Sequence, residues 1–200
     1  MPLRSKTRIR RSPEDAKQLF LNCAQSLLVE EGLRGVQMRA VARRAGVTDA
    51  AIAHHFGNRE GLLSALMEHV VSQVRDAIRS LVAKWTDRNA DIGALIEDLD
   101  GLYRHGYAEL AHAASQSGWR DKGAPILKPV IDVLIRQNQN PTTTDDTIRH
   151  VMASVHQDLA LSPLYGEAFR RSVGLRSANK RTEHLAWWAE TIERLIAVPL

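Results

Sequence analysis

Gln37 to Phe56, QMRAVARRAGVTDAAIAHHF, decides how this 200-residue chain is read. Two short helices that cross closely need a small residue at the contact, a turn that tolerates a left-handed backbone, and apolar plugs on both helices. Ala42 is the small contact, Gly46 the turn, and Val41, Val47 and Ile52 the plugs. Thr48 falls where the second helix needs its cap, which leaves Asp49, Ala50, Ala51, Ala53, His54 and His55 facing outward over about two turns. The spacing predicts a helix-turn-helix over 37–56.

Outward from that stretch the whole chain reads as helical. Ser12-Pro13-Glu14-Asp15 is a helix start, with Ser12 as cap, Pro13 at the first position and two acids at the positive end. Ala16, Leu19, Phe20, Cys23, Ala24, Leu27 and Leu28 follow at helical spacing, and Gly32 supplies the stop. On that stripe Cys23 reads as a small core residue. A long helix is predicted from Arg59 to Trp85, then others over 91–117, 124–137, 144–161, 163–173 and 180–198. The Ser162-Pro163 step is read as a helix break. No alternating strand and no internal repeat appears. The fold class is all-α, with about nine helices.

Charge separates the chain as well. Residues 1–65 hold eleven Lys and Arg against six acids, whereas the other 135 hold 16 against 17. The excess positive charge therefore lies in the first third, as expected where one part of a chain meets a polyanion. Arg4, Lys6, Arg8, Arg10 and Arg11 read as a flexible arm that follows phosphates or the minor groove. One cysteine excludes an internal disulfide, and neither a signal-like stretch nor an apolar run of membrane-spanning length is found. A soluble, cytoplasmic protein with no membrane partner is expected.

Arg39, the run VARRAGVT (Val41–Thr48), HHF (His54–Phe56) and Asn58-Arg59-Glu60-Gly61-Leu62 resemble elements of the TetR family of bacterial transcriptional regulators. The resemblance covers about 50 residues, Ala16 to Ala65. It implies a homodimer whose residues 1–60 bind DNA and whose residues 61–200 form an effector-binding and dimerisation domain. It also places phosphate contacts on Thr48, His54 and Arg59, to which Arg39 and Arg43 add nearby cations, and base readout on Asp49, Ala50, Ala51 and His55. Ala50 stands where the family usually has Gly, and Ala53 where it usually has Tyr. If His54 and His55 lie against phosphates, DNA affinity should rise as pH falls from about 7.5 to 6.

Beyond the head, Tyr103, Tyr107, Trp119, Met152 and His156 offer apolar bodies with few polar tips, and are the expected lining of a pocket for an apolar or amphipathic small-molecule effector. In the last helix Trp187 falls away from the apolar stripe, so Trp187 with His184, Thr191 and Arg194 is expected in a symmetric dimer interface. Two-fold symmetry implies an inverted-repeat operator in double-stranded DNA, with repression until an effector shifts the dimer. No HExxH, CxxC or GxSxG motif and no phosphate-cradling glycine loop is present, so no enzyme, cofactor or metal is expected. His105 and His112, two turns apart, read as core or pocket histidines. A non-specific architectural DNA binder and a helical protein-interaction module remain open on the residues alone.

Overall fold

The structure, a computed structural model, describes residues 12–87, 91–104, 106–116, 118–123, 125–175 and 180–197. Among the described residues all regular structure is helical: α1 (Pro13–Glu31), a 3-10 turn (Leu33–Gly35), α2 (Met38–Ala45), α3 (Asp49–Phe56), α4 (Arg59–Asp87), α5 (Ile92–Gly101), α6 (Tyr107–Gln116), α7 (Lys128–Gln137), α8 (Asp145–Ser172) and α9 (Lys180–Ile196). None of these helices is long and apolar enough to cross a membrane. The chain divides into two compact units between Leu66 and Met67.

The first unit is built on α1. Ser12 caps it by accepting from the Asp15 N–H at 3.1 Å, with Pro13 in the first turn, where its missing N–H is harmless. Phe20, Ala24, Leu27 and Leu28 are buried along one stripe and receive Val41 and Ala42 of α2 and Ile52 and Phe56 of α3. Each fully buried Leu or Ile contributes roughly 1.5–3 kcal/mol over its exposed state, so this small cluster can hold three helices together. Cys23 is half-buried rather than core, and burial pushes its thiol above the usual range despite the lowering effect of Arg44.

The second unit packs α5, α7, α8, α9 and the later turns of α4 around Ile78, Leu95, Ile96, Leu99, Leu134, Ile148, Met152 and Val155, with Leu185, Ala189 and Ile192 of α9 against them. Two boundaries differ from the sequence reading. The helix predicted over 91–117 is two helices, because Leu102, Tyr103 and Arg104 bond to carbonyls three residues back and Gly106 takes a left-handed φ of 83°. Conversely, the segments read as 144–161 and 163–173 form one helix that runs through Pro163. An interior proline costs about 3 kcal/mol. Ile148, Met152, Val155, Leu159 and Gly166 keep one helical register across it, and the packing of that face offsets the cost.

Candidate nucleic-acid interface

The turn between α2 and α3 has the geometry that its residues dictate. Gly46 sits at φ 68°, ψ 36°, a left-handed position that a side chain would strain, and the Val47 N–H closes the turn on the Ala42 carbonyl at 3.0 Å. Val41 and Ile52 are fully buried and Ala42 nearly so, whereas Val47 is only half-buried. Thr48 accepts from the Ala51 N–H at 3.3 Å, capping α3 at the start of its exposed face.

That face is short and chemically sparse. Asp49, Ala50, Ala53 and His54 are exposed, while Ala51 and His55 are half-buried. The His55 ring meets Phe20 edge-on at 5.2 Å and His54 at 5.6 Å. His55 thus belongs partly to the α1–α3 packing, and only His54 of the pair projects freely.

Cations flank the face. Arg39 is almost fully exposed and donates from Nε to the Asp49 carboxylate at 3.1 Å, a surface pair that polyanion binding can exchange at little cost. Arg43 is exposed beside it, and Arg44 reaches back to α1 in a bidentate pair with Glu30. The arm expected over Arg4–Arg11 lies outside the described residues.

Arg59 is the clearest departure from the expected contacts. Its Nε donates to the Val36 carbonyl at 2.9 Å and its Nη2 to the Leu33 carbonyl at 3.1 Å, so the guanidinium is half-buried and turned inward. It fastens the α1–α2 connection, where its fork of donors reaches two carbonyls at once, the Leu33 carbonyl also accepting from the Val36 N–H at 3.3 Å. Arg59→Ala should lower the stability of the first unit by about 2 kcal/mol. In a DNA titration it should leave the salt slope unchanged, whereas loss of a phosphate contact would reduce that slope by about one.

In the second unit the expected pocket residues separate. Tyr103 and His156 are brought together, with ring centroids 5.6 Å apart, and Met152 is buried in the core they pack against. Burial pushes the Tyr103 hydroxyl far above its ordinary range and lowers His156, so both are neutral. Tyr107 is half-buried at the start of α6. Trp119 stands apart from that pair, in a cleft between α4 and residues 118–123. His105 lies outside the described residues, and His112 is exposed with its ring edge-on to Tyr165.

Trp187 is 50% exposed, a large apolar surface left on a helix. His184 stacks on it at 5.7 Å with the rings 12° from parallel, and its Nε2 donates to the Asp158 carboxylate over 3.2 Å. Thr191 Oγ1 donates to the Trp187 carbonyl, and Arg194 pairs with Glu190. The sequence reading missed Tyr165 and Phe169 of α8 and Val173 at its C-cap, exposed by 42%, 60% and 73%. Their signal was an apolar residue every fourth position within the predicted 163–173 helix. His184, Phe169 and Val173 line one groove of about 360 Å³ between α8 and α9, and Trp187 stacks on the His184 of that lining.

A sequence model of the tetR family of bacterial regulatory proteins matches residues 20–66, the span of these helices. The HTH-type transcriptional regulator BetI 2 of Chromohalobacter salexigens is 32% identical over 83 residues, 40% of this chain and 40% of that protein. BetI of Klebsiella pneumoniae is 38% identical over 74 residues, 37% of this chain and 38% of that protein. The matches thus span about two fifths of these curated relatives. Over the whole fold, a protein of Mesorhizobium loti described as a TetR-family transcriptional regulator superposes with a TM-score of 0.62 at 17% identity, covering 92% of this chain and 98% of that one. The fatty acid degradation regulator FadR of Bacillus halodurans superposes with a TM-score of 0.53 at 16% identity over 92% and 96% of the two chains. Both share the all-α architecture. The helix-turn-helix head, residues 20–66, thus matches the tetR family of bacterial regulatory proteins.

Proposed function

We propose that this protein is a cytoplasmic transcriptional regulator, not an enzyme, that binds an inverted-repeat operator as a homodimer and represses until a small molecule releases it. The observation that carries the reading is the capped, exposed face of α3 (Asp49, Ala50, Ala53, His54) with Arg39 and Arg43 beside it, in the unit that the family model matches. Side chains on such a face reach base edges in the major groove while the flanking cations hold phosphates. The α8–α9 surface with Phe169 and Trp187 is assigned to the second copy, because it is the largest exposed aromatic surface among the described residues. Effector binding is assigned to the second unit, where the neutral Tyr103–His156 pair and the cleft at Trp119 are the candidate places.

Fluorescence anisotropy with duplexes from the DNA flanking the gene, against a scrambled duplex over a salt series, tests this directly. Binding to one inverted repeat roughly a thousandfold tighter than to the scramble is expected. Equal, steeply salt-dependent binding to both would favour an architectural role, and no binding to any duplex would count against DNA recognition altogether.

The sparseness of α3 gives a second expectation. Alanines present only methyl groups, so Ala50 and Ala53 should be matched by thymine methyls in the half-site. Uracil in place of those thymines should weaken binding about three- to tenfold, with the salt slope unchanged. An operator indifferent to uracil would remove the alanines from the readout.

A further inference from the structure

The face of α4 in the second unit presents Glu68, Val71 and Arg75 to the 118–123 loop, across a cleft of about 420 Å³. That size falls within the roughly 300–1,000 Å³ of small-molecule sites. Trp119 forms a half-buried wall, and Val71 adds apolar surface beside it. The Arg75 guanidinium receives the Asp121 carboxylate, both oxygens lying 2.6 Å from Nη2. The Asp121 carboxylate also accepts from the Gly123 N–H at 2.9 Å. A Cβ at Gly123 would fall 2.1 Å from Nη2, so this glycine is what lets the loop close over the cation. Yet Arg75 Nε is buried with no hydrogen-bond partner, the kind of unmet donor that native structures rarely leave.

The cleft therefore already holds a carboxylate on an arginine beside an indole, and the carboxylate is the loop's own. Burial alone would raise the Asp121 pKa, but the Gly123 N–H and Arg75 hold it below the usual carboxylate range, so it stays ionised. Arg120 donates to the carbonyls of Ser115 and Trp119 and keeps the indole wall in place. We propose that this cleft binds a small aromatic carboxylate whose acid group takes the place of Asp121 on Arg75 and whose ring lies against Trp119 and Val71. The incoming acid can span Nε and Nη2 together, the two-point geometry that arginine favours, and so supplies the missing acceptor. The apolar walls select a flat body over a bare inorganic anion. Asp121, displaced, frees the 118–123 loop from α4, which gives the ligand a differential effect on the conformation of the chain. As an account of effector chemistry this rests on the regulatory reading above, but the binding itself is measured without DNA.

Benzoate and phenylacetate are the probes, with neutral benzamide as the isosteric control, followed by intrinsic fluorescence of the full chain. Trp119→Phe assigns the signal among the four tryptophans. Benzoate should quench the wild type in a saturable way, benzamide should not, and the quench should vanish in Trp119→Phe. Because Asp121 competes with the ligand, Asp121→Asn and Asp121→Ala should bind benzoate tighter, by roughly tenfold or more, while Arg75→Gln loses binding by at least as much. Thermal melts with and without benzoate read the same order of affinities and show that each variant folds. Benzamide binding as well as benzoate, a signal that survives Trp119→Phe, or Asp121 variants that bind no tighter would each overturn the proposal. Failure here leaves operator binding untouched, and an absent operator leaves these titrations unchanged.

Discussion

Trp187→Glu is expected to leave the protein monomeric at concentrations where the wild type is a dimer by light scattering. In the single chain the substitution touches little, since Trp187 is half-exposed and its neighbours His184 and Trp188 are held from elsewhere, by Asp158. Folding should therefore be preserved to within about 0.5 kcal/mol, the range of ordinary surface changes. In the dimer the cost is double. In the proposed interface each copy would lose the contact area of an indole and place a carboxylate against an apolar surface of its partner. Central aromatic anchors of this kind are worth about 2–4 kcal/mol each, so the dimer dissociation constant should rise by two orders of magnitude or more. Affinity for the inverted repeat should fall with it, because one head alone contacts a single half-site. Phe169→Glu, in the groove that His184 lines beneath its stack with Trp187, should reproduce both effects. An unchanged dimer in both variants would move the interface off the α8–α9 surface.

Asp100→Ala should be the most destabilising single change in the second unit. Asp100 is 5% exposed and is one of two buried polar residues among those described. Its carboxylate takes Arg181 of α9 on one oxygen and Arg104 on the other, the latter at 2.6 Å. Arg181 continues to Asp158 of α8 at 3.1 Å, which in turn receives the Trp188 indole N–H at 3.3 Å. One chain of charges thus fastens α5 to α9 and α9 to α8. Removing the carboxylate takes the partner from Arg104 and one of two carboxylates from Arg181 in a partly buried site, a loss of about 3 kcal/mol, and for a chain of this length roughly 6–12 °C in Tm. The pH dependence has a definite sign. Burial alone would raise the pKa of Asp100, but Arg181 and Arg104 outweigh it and hold the group below its ordinary value. A depressed folded-state pKa means that the contribution is complete above the unfolded value of about 4 and is lost as pH falls through the folded one. Wild-type stability should therefore fall below about pH 4 more steeply than that of Asp100→Asn, whose curve should be flatter across that acid window. Parallel acid curves for the two proteins would show that this carboxylate carries no such linkage.

What was legible in the sequence is local. A cap at Ser12 or Thr48, a left-handed glycine at position 46 and apolar residues at helical spacing depend on near neighbours along the chain, so the helix-turn-helix could be read from twenty residues and its class from its charge. The exposed tryptophan of α9 was legible for the same reason, since helical geometry alone puts Trp187 opposite its stripe. Whatever depends on the surface lying across from a side chain was not. Phe20 of α1 draws His55 into the packing, two carbonyls of the α1–α2 connection draw Arg59 inward, and Asp100 finds an arginine 81 residues away. Pro163 stays inside a helix because the packing of the α8 stripe outweighs a local penalty. The sequence by itself determined the helices, the DNA-reading motif and the sparse chemistry of its exposed face, because backbone conformation answers to interactions within a turn or two. Only the tertiary structure decided which charged and aromatic groups remain available to a partner, because each guanidinium or ring goes to the strongest contact that folding brings within reach.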